Sequence, residues 1–189
     1  MPAHVLEPDV QILAGVAAMI QSEYAEPDDD PWAGSPFAWI RQRPSRQRGA
    51  IGERLVAGWC AAKNLDVVRT GDSEADRVIE GRRVEIKFST LWQSGVYKFQ
   101  QVRDQDYELL FCLGISPFDA HAWLLPKPVL LDHVIGHTGQ HTGAAGTDTA
   151  WINVVVGSPP SWMMGYGDRL ADVWRGFQAL RRGRRERSP

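Results

Sequence analysis

The sequence predicts an α/β domain: a mixed β-sheet core flanked by helices. Three observations point there. The run "ELLFCLGI" at 108–115 is apolar without interruption, as in a central strand buried on both faces. Shorter stretches before and after it alternate with a period of two. Segments with helical spacing frame them, in the order helix, three strands, helix, strand, strand. At about 100–200 residues per domain, 189 residues make one domain, here 1–189 with a core near 49–127.

The first helix is placed over 8–24, where Ile12, Leu13, Val16, Met19 and Ile20 recur at helical spacing. An acidic, proline-rich loop follows over 26–36, then a short helical turn over 37–41 that Pro44 ends. Ser45 is suited to cap a helix near 49–64, with Leu55, Val56 and Trp59 inward and Glu53 near its start. A strand is expected over 65–69. A hairpin is expected over 75–80 and 82–89, with its tight turn at Glu80–Gly81. Residues 95–104 read as a short helix, 120–125 as a strand ended by Pro126, and 128–135 as a short helix. A Gly/Thr/His loop spans 136–150, a last strand 151–156, and a last helix 168–181 that leads into a basic tail to 189.

Composition removes several classes. The chain is 43% hydrophobic and 23% charged, which excludes disordered, coiled-coil and collagen-like chains. The apolar stretch at 10–20 is too short to span a bilayer and lacks a basic flank. Cys60 and Cys112 sit in apolar stretches and read as reduced core residues, so a cytoplasmic location is expected. A net charge of −2 argues against a generic nucleic-acid coat, but the charge is uneven. Residues 1–40 carry no Lys or Arg, whereas Arg41, Arg43, Arg46, Arg48 and Arg54 cluster, as do the arginines of the tail. Such local clusters suit phosphate contacts.

The chemistry concentrates in "DSEADRVIEGRRVEIKFST" at 72–90. On the second hairpin strand, Val84, Ile86 and Phe88 share one face, and Glu85 and Lys87 the other. Folding about Glu80–Gly81 brings Asp76 opposite Glu85. Two carboxylates so close need a compensating cation, and Mg²⁺ takes one or two carboxylates while keeping waters and phosphate oxygens. Asp72 and Glu74 compete with Asp76; Asp72 falls in a Gly-Asp-Ser turn, and Glu74 is the second choice. The plain alternatives are a capping Asp76, a solvated strand face for Glu85 and Lys87, and a helix-start acid for Glu53.

Asp76, a turn, then Glu85-Ile86-Lys87 resembles the PD-(D/E)xK nuclease superfamily, the restriction-endonuclease-like fold. Glu53 in "GAIGERLVAGW" matches an acidic position on a preceding helix in many members. The resemblance covers about 49–127. Ala75 stands where proline is common, and Gln100, Gln101 and Tyr107 only loosely echo a Gln-plus-Tyr motif of some exonuclease branches. It implies a Mg²⁺-dependent endodeoxyribonuclease, with Mn²⁺ able to substitute. Asp76, Glu85 and the Ile86 carbonyl would be metal ligands, Lys87 an electrostatic stabiliser beside the attacked phosphate, and Glu53 a second-metal or water-orienting group.

The expected substrate is double-stranded DNA. Arg41, Arg43, Arg46 and Arg48 would grip its backbone, and His137, Gln140, His141, Thr147 and Asp148 of the 136–150 loop would read base edges. Trp92, one of eight tryptophans, lies just past Lys87, where a base or sugar can stack. One site cuts one strand, so a homodimer is expected. A restriction or phage-defence enzyme, with a cognate methyltransferase in the same system, is the leading role. The alternatives are a structure-selective junction or repair nuclease, and a non-cutting nucleic-acid-binding module on the same fold.

Overall fold

The computed structural model describes residues 30–137 and 149–185. The helix expected over 8–24 and most of the 136–150 loop, with Gln140, His141, Thr147 and Asp148, lie outside the described residues. The chain divides into units of 1–33 and 34–189. Of the first, the described residues 30–33 form a turn closed by the Ala33 N–H on the Asp30 carbonyl at 2.9 Å.

The second unit is ordered around strand β3 (Arg82–Thr90). The turn before it uses Glu80 and Gly81, both with positive φ (51° and 75°), the backbone signature of a type I′ hairpin. It joins β3 to β2 (Arg77–Ile79), which pairs in turn with β1 (Val67–Arg69). On its other edge β3 pairs in parallel with β5 (Leu109–Ile115), and β5 pairs antiparallel with β6 (Ala120–Pro126). Every residue of β5 is buried, as its unbroken apolar run requires. The six-stranded sheet has the order β1-β2-β3-β5-β6-β8, closing with β8 (Gly167–Arg169).

Helix α1 (Ala38–Arg41) precedes α2 (Ser45–Ala62), and α4 (Leu170–Arg185) follows β8. One sheet face carries α2 and α4. Trp59 of α2 meets Phe111 edge-on at 6.0 Å, and Phe177 of α4 stacks on the same ring at 6.3 Å. Helix α2 approaches β3 closely at Gly52, where an added Cβ would collide with the Phe88 side chain. The opposite face carries a two-stranded sheet of β4 (Val96–Val102) and β7 (Ala150–Val155), with α3 (Lys127–His133) beside it. Tyr97, Phe99, Leu110, Cys112 and Trp123 pack there in one buried cluster. Tyr97 lies on the bare backbone of Gly114, and its hydroxyl is 3.1 Å from Nδ1 of the buried His121.

Four expectations are corrected. Residues 95–104 form strand β4, not a helix. Its register shifts between Phe99 and Val102, so Gln100 and Gln101 together face one residue of β7. That bulge spaces the buried Tyr97, Phe99 and Val102 by two and then three, which breaks the strand period and mimics a helical one. The last helix begins at Leu170 because residues 167–169 are drawn into the sheet edge as β8. Gly167 is required there: its φ is +146°, and a Cβ would strike the Ala122 carbonyl. Helix α2 starts at Ser45, earlier than 49, with Pro44 at its N-cap. Ser45 makes no capping bond; its Oγ accepts from Arg48 Nη2 at 3.1 Å instead.

Both cysteines are free and buried. Among the described residues no helix is long and apolar enough to cross a membrane.

Candidate active site

Strand β2 is only three residues long, and its pairing with β3 ends at Arg77 opposite Val84. From Glu85 to Thr90 the β2 side of β3 is left open. These six residues line a cleft of about 430 Å³, walled on one side by the first turns of α2 (Ser45, Arg46, Arg48, Gly49, Glu53). Trp92, Lys98, Gln100 and Gln101 form the other side, and Asp76 closes the end.

Asp76, Glu85, Ile86, Lys87 and Glu53 therefore meet in one cleft, although they come from three elements. Asp76 is held where β2 stops: its Oδ2 accepts the Ile86 N–H at 2.8 Å, and its own N–H donates to the Val84 carbonyl at 3.1 Å. Its carboxylate thereby faces Glu85, the residue opposite it in the hairpin.

Glu85 is only 9% exposed, so the reading of it as part of a solvated strand face does not hold. Lys87 Nζ donates to Glu85 Oε1 at 2.6 Å. Burial pushes the Glu85 carboxyl above its ordinary range, Lys87 opposes the shift, and Asp76 adds to it through repulsion and a shared hydrogen bond.

Glu53 sits across from Asp76. Its carboxyl is also raised, by burial first and then by Asp76, against the pull of Arg77. Arg77 is a neighbour of the candidate site that the sequence did not single out. It is 8% exposed, reaches Glu53 Oε2 at 3.4 Å and donates to the Asp76 carbonyl at 2.6 Å. Its only sequence signal is adjacency to Asp76. Lys98 and Ser45 were missed too, because they enter the cleft from separate elements.

The fit to a hard divalent cation is partial. Among the described residues no group of three or more His, Cys, Asp or Glu side chains is arranged to hold a metal. Asp76 and Glu85 are a carboxylate pair of the kind Mg²⁺ accepts while retaining waters and phosphate oxygens. Glu53 is engaged by Arg77.

The residues expected to contact substrate are more scattered. Arg46 and Arg48 line the cleft. Arg43 lies over the exposed Trp39 ring at 5.9 Å, and Arg41 ends α1; neither lines the cleft. His137 is exposed at the end of the described segment and is not a cleft residue. In the tail, Arg175 pairs with Asp172, and Arg181 reaches Glu80 at 3.5 Å.

No protein-family model matches this chain, and no curated protein does. Among solved structures it resembles the bacterial homing endonuclease I-Ssp6803I, with a TM-score of 0.52 and 16% identity over 77% of this chain and 99% of that one. At that identity the likeness is one of fold: a mixed sheet flanked by helices, as in a nuclease.

Proposed function

We propose that this protein is a Mg²⁺-dependent DNA endonuclease of the PD-(D/E)xK type, hydrolysing phosphodiester bonds in the cleft along β3. The observation that supports it is the meeting of Asp76, Glu85 and Lys87 at the end of one open strand edge. The fold shared with a homing endonuclease agrees.

Asp76 and Glu85, with the Ile86 carbonyl, would hold the cation. When bound it supplies a counter-charge for the phosphoryl oxygens and an activated water. Lys87 then exchanges its partner: its ammonium, now on Glu85, turns to the developing charge on the scissile phosphate. Arg46 and Arg48 hold the flanking backbone, and the fixed Arg77–Glu53 pair keeps the α2 wall in register with the hairpin. Arg41, Arg43, His137, Gln140, His141, Thr147 and Asp148 would extend this contact over a DNA duplex.

The finer role is a restriction or phage-defence enzyme reading a short or modified sequence, acting as a homodimer in the cytoplasm beside a cognate methyltransferase. Incubation with plasmid DNA in Mg²⁺, Mn²⁺ or EDTA tests the reaction. Cutting is expected with either cation, absent in EDTA, and lost in Asp76→Ala and Lys87→Ala. Binding without cutting, or undiminished cutting by both variants, would overturn it. Discrete fragments support the restriction role, and cleavage confined to branched DNA replaces it with a junction nuclease.

A further inference from the structure

Trp92 is 46% exposed at the edge of the cleft, an unusual place to leave an indole. Its backbone is held on both sides: the main-chain N–H donates to the Val96 carbonyl at 3.1 Å, and the main-chain carbonyl accepts from Gly95 N–H at 2.9 Å, where Gly95 turns the chain with φ +74°. The Lys98 ammonium lies 3.9 Å from the ring centroid. The backbone of Lys98 is anchored in turn, its main-chain N–H donating to Ser89 Oγ at 3.0 Å on the cleft floor. A half-exposed aromatic ring with a cation against it thus stands just past the end of β3, five residues beyond Lys87.

We propose that Trp92 and Lys98 form a nucleotide clamp. Trp92 stacks one unpaired or extruded base next to the scissile phosphate, and Lys98 neutralises a phosphate of that nucleotide. An indole face takes any base, and a paired base inside a duplex cannot present its face to it. The cleft consequently selects DNA in which the nucleotide beside the cut is out of the stack. This rests on the nuclease reading of the same cleft.

The test uses the whole chain in EDTA, where binding is read without cutting. The probes are two otherwise identical DNA duplexes carrying 2-aminopurine, one fully paired and one with that base mismatched. The wild-type protein is expected to bind the mismatched duplex more tightly and to quench its 2-aminopurine. Trp92→Ala should lose about tenfold in affinity for the mismatched duplex, with less than a twofold change for the paired one. Trp92→Phe should recover most of the quenching, and unchanged thermal melting of both variants shows that the fold is intact. Equal losses on both duplexes, or a change in sedimentation with the preference retained, would overturn the clamp, the latter making Trp92 a contact between copies. If the protein binds and cuts DNA without the preference, only the clamp falls. If it binds neither duplex, the nuclease reading falls with it.

Discussion

The carboxylate of Asp76 accepts the backbone N–H of Ile86 at 2.8 Å, at the point in the hairpin where a longer β2 would present a backbone carbonyl. One side chain therefore ends a ladder and faces Glu85.

This dual duty separates two variants. Asp76→Asn keeps an acceptor for the Ile86 N–H and removes a repulsion, so in EDTA it should melt no lower than the wild-type protein. Asp76→Ala leaves that N–H without its partner and should lose about 1–2 kcal/mol. Both should cut plasmid DNA about 100-fold more slowly or worse. An Asn variant with full activity would show that the charge is not needed.

Lys87 and Glu85 form a poorly exposed ion pair at 2.6 Å, with side chains 17% and 11% exposed. Lys87→Met should cost about 2 kcal/mol in urea denaturation near neutral pH, because the carboxylate is left without its cation. Adding Glu85→Gln should restore most of that loss without restoring cleavage. A double variant no more stable than Lys87→Met would mean that the pair is not coupled.

The pH dependence has a definite sign. Glu85 and Glu53 both have carboxyls raised above the ordinary 4.5. A raised carboxyl favours the folded state most while protonated, so its contribution is full below the unfolded value and is lost as pH rises through the folded one. In EDTA, Glu85→Gln should therefore gain stability relative to wild type between pH 4.5 and 7.5, read by urea midpoints. A gain that shrinks with rising pH would reverse the assignment.

Gly52→Ala puts a methyl group into the Phe88 side chain. Helix propensity favours alanine by about 1 kcal/mol, but overpacking costs about 1–3 kcal/mol, so a net loss in thermal melting is expected. Phe88→Ala in the same chain should remove the penalty of the added methyl. A more stable Gly52→Ala would mean that α2 stands further from β3 than described.

Gln101 has φ +58° in the β4 bulge, a conformation that favours glycine. Gln101→Gly should be stabilising by up to about 1 kcal/mol, and Gln101→Val destabilising. If both variants melt like the wild type, the bulge carries no such strain.

The hairpin was legible because its turn chemistry is local: Glu80 and Gly81 take the positive φ values that a two-residue turn needs. That turn fixes the register, which sets Asp76 against Glu85. β5 was legible because burial on both faces leaves nothing but apolar residues. β4 was not, since the extra residue at Gln100–Gln101 shifts the phase of its buried side chains. β8 was not, since three residues hold too little pattern and pair with β6 only through tertiary contact. The site divides the same way. Its hairpin residues follow from the turn, whereas Lys98 and Ser45 join it only after separate elements pack, and the contact of Arg77 with Glu53 forms only once α2 meets the hairpin.

The open stretch of β3 exists because its neighbour stops after three residues. On the proposed nuclease reading, cleavage should therefore be lost by filling space, with every acid and lysine untouched. Two residues inserted ahead of Asp76 that continued the ladder would lie opposite Ile86 and Lys87 and roof the floor there. What the fold protects at that point is vacancy.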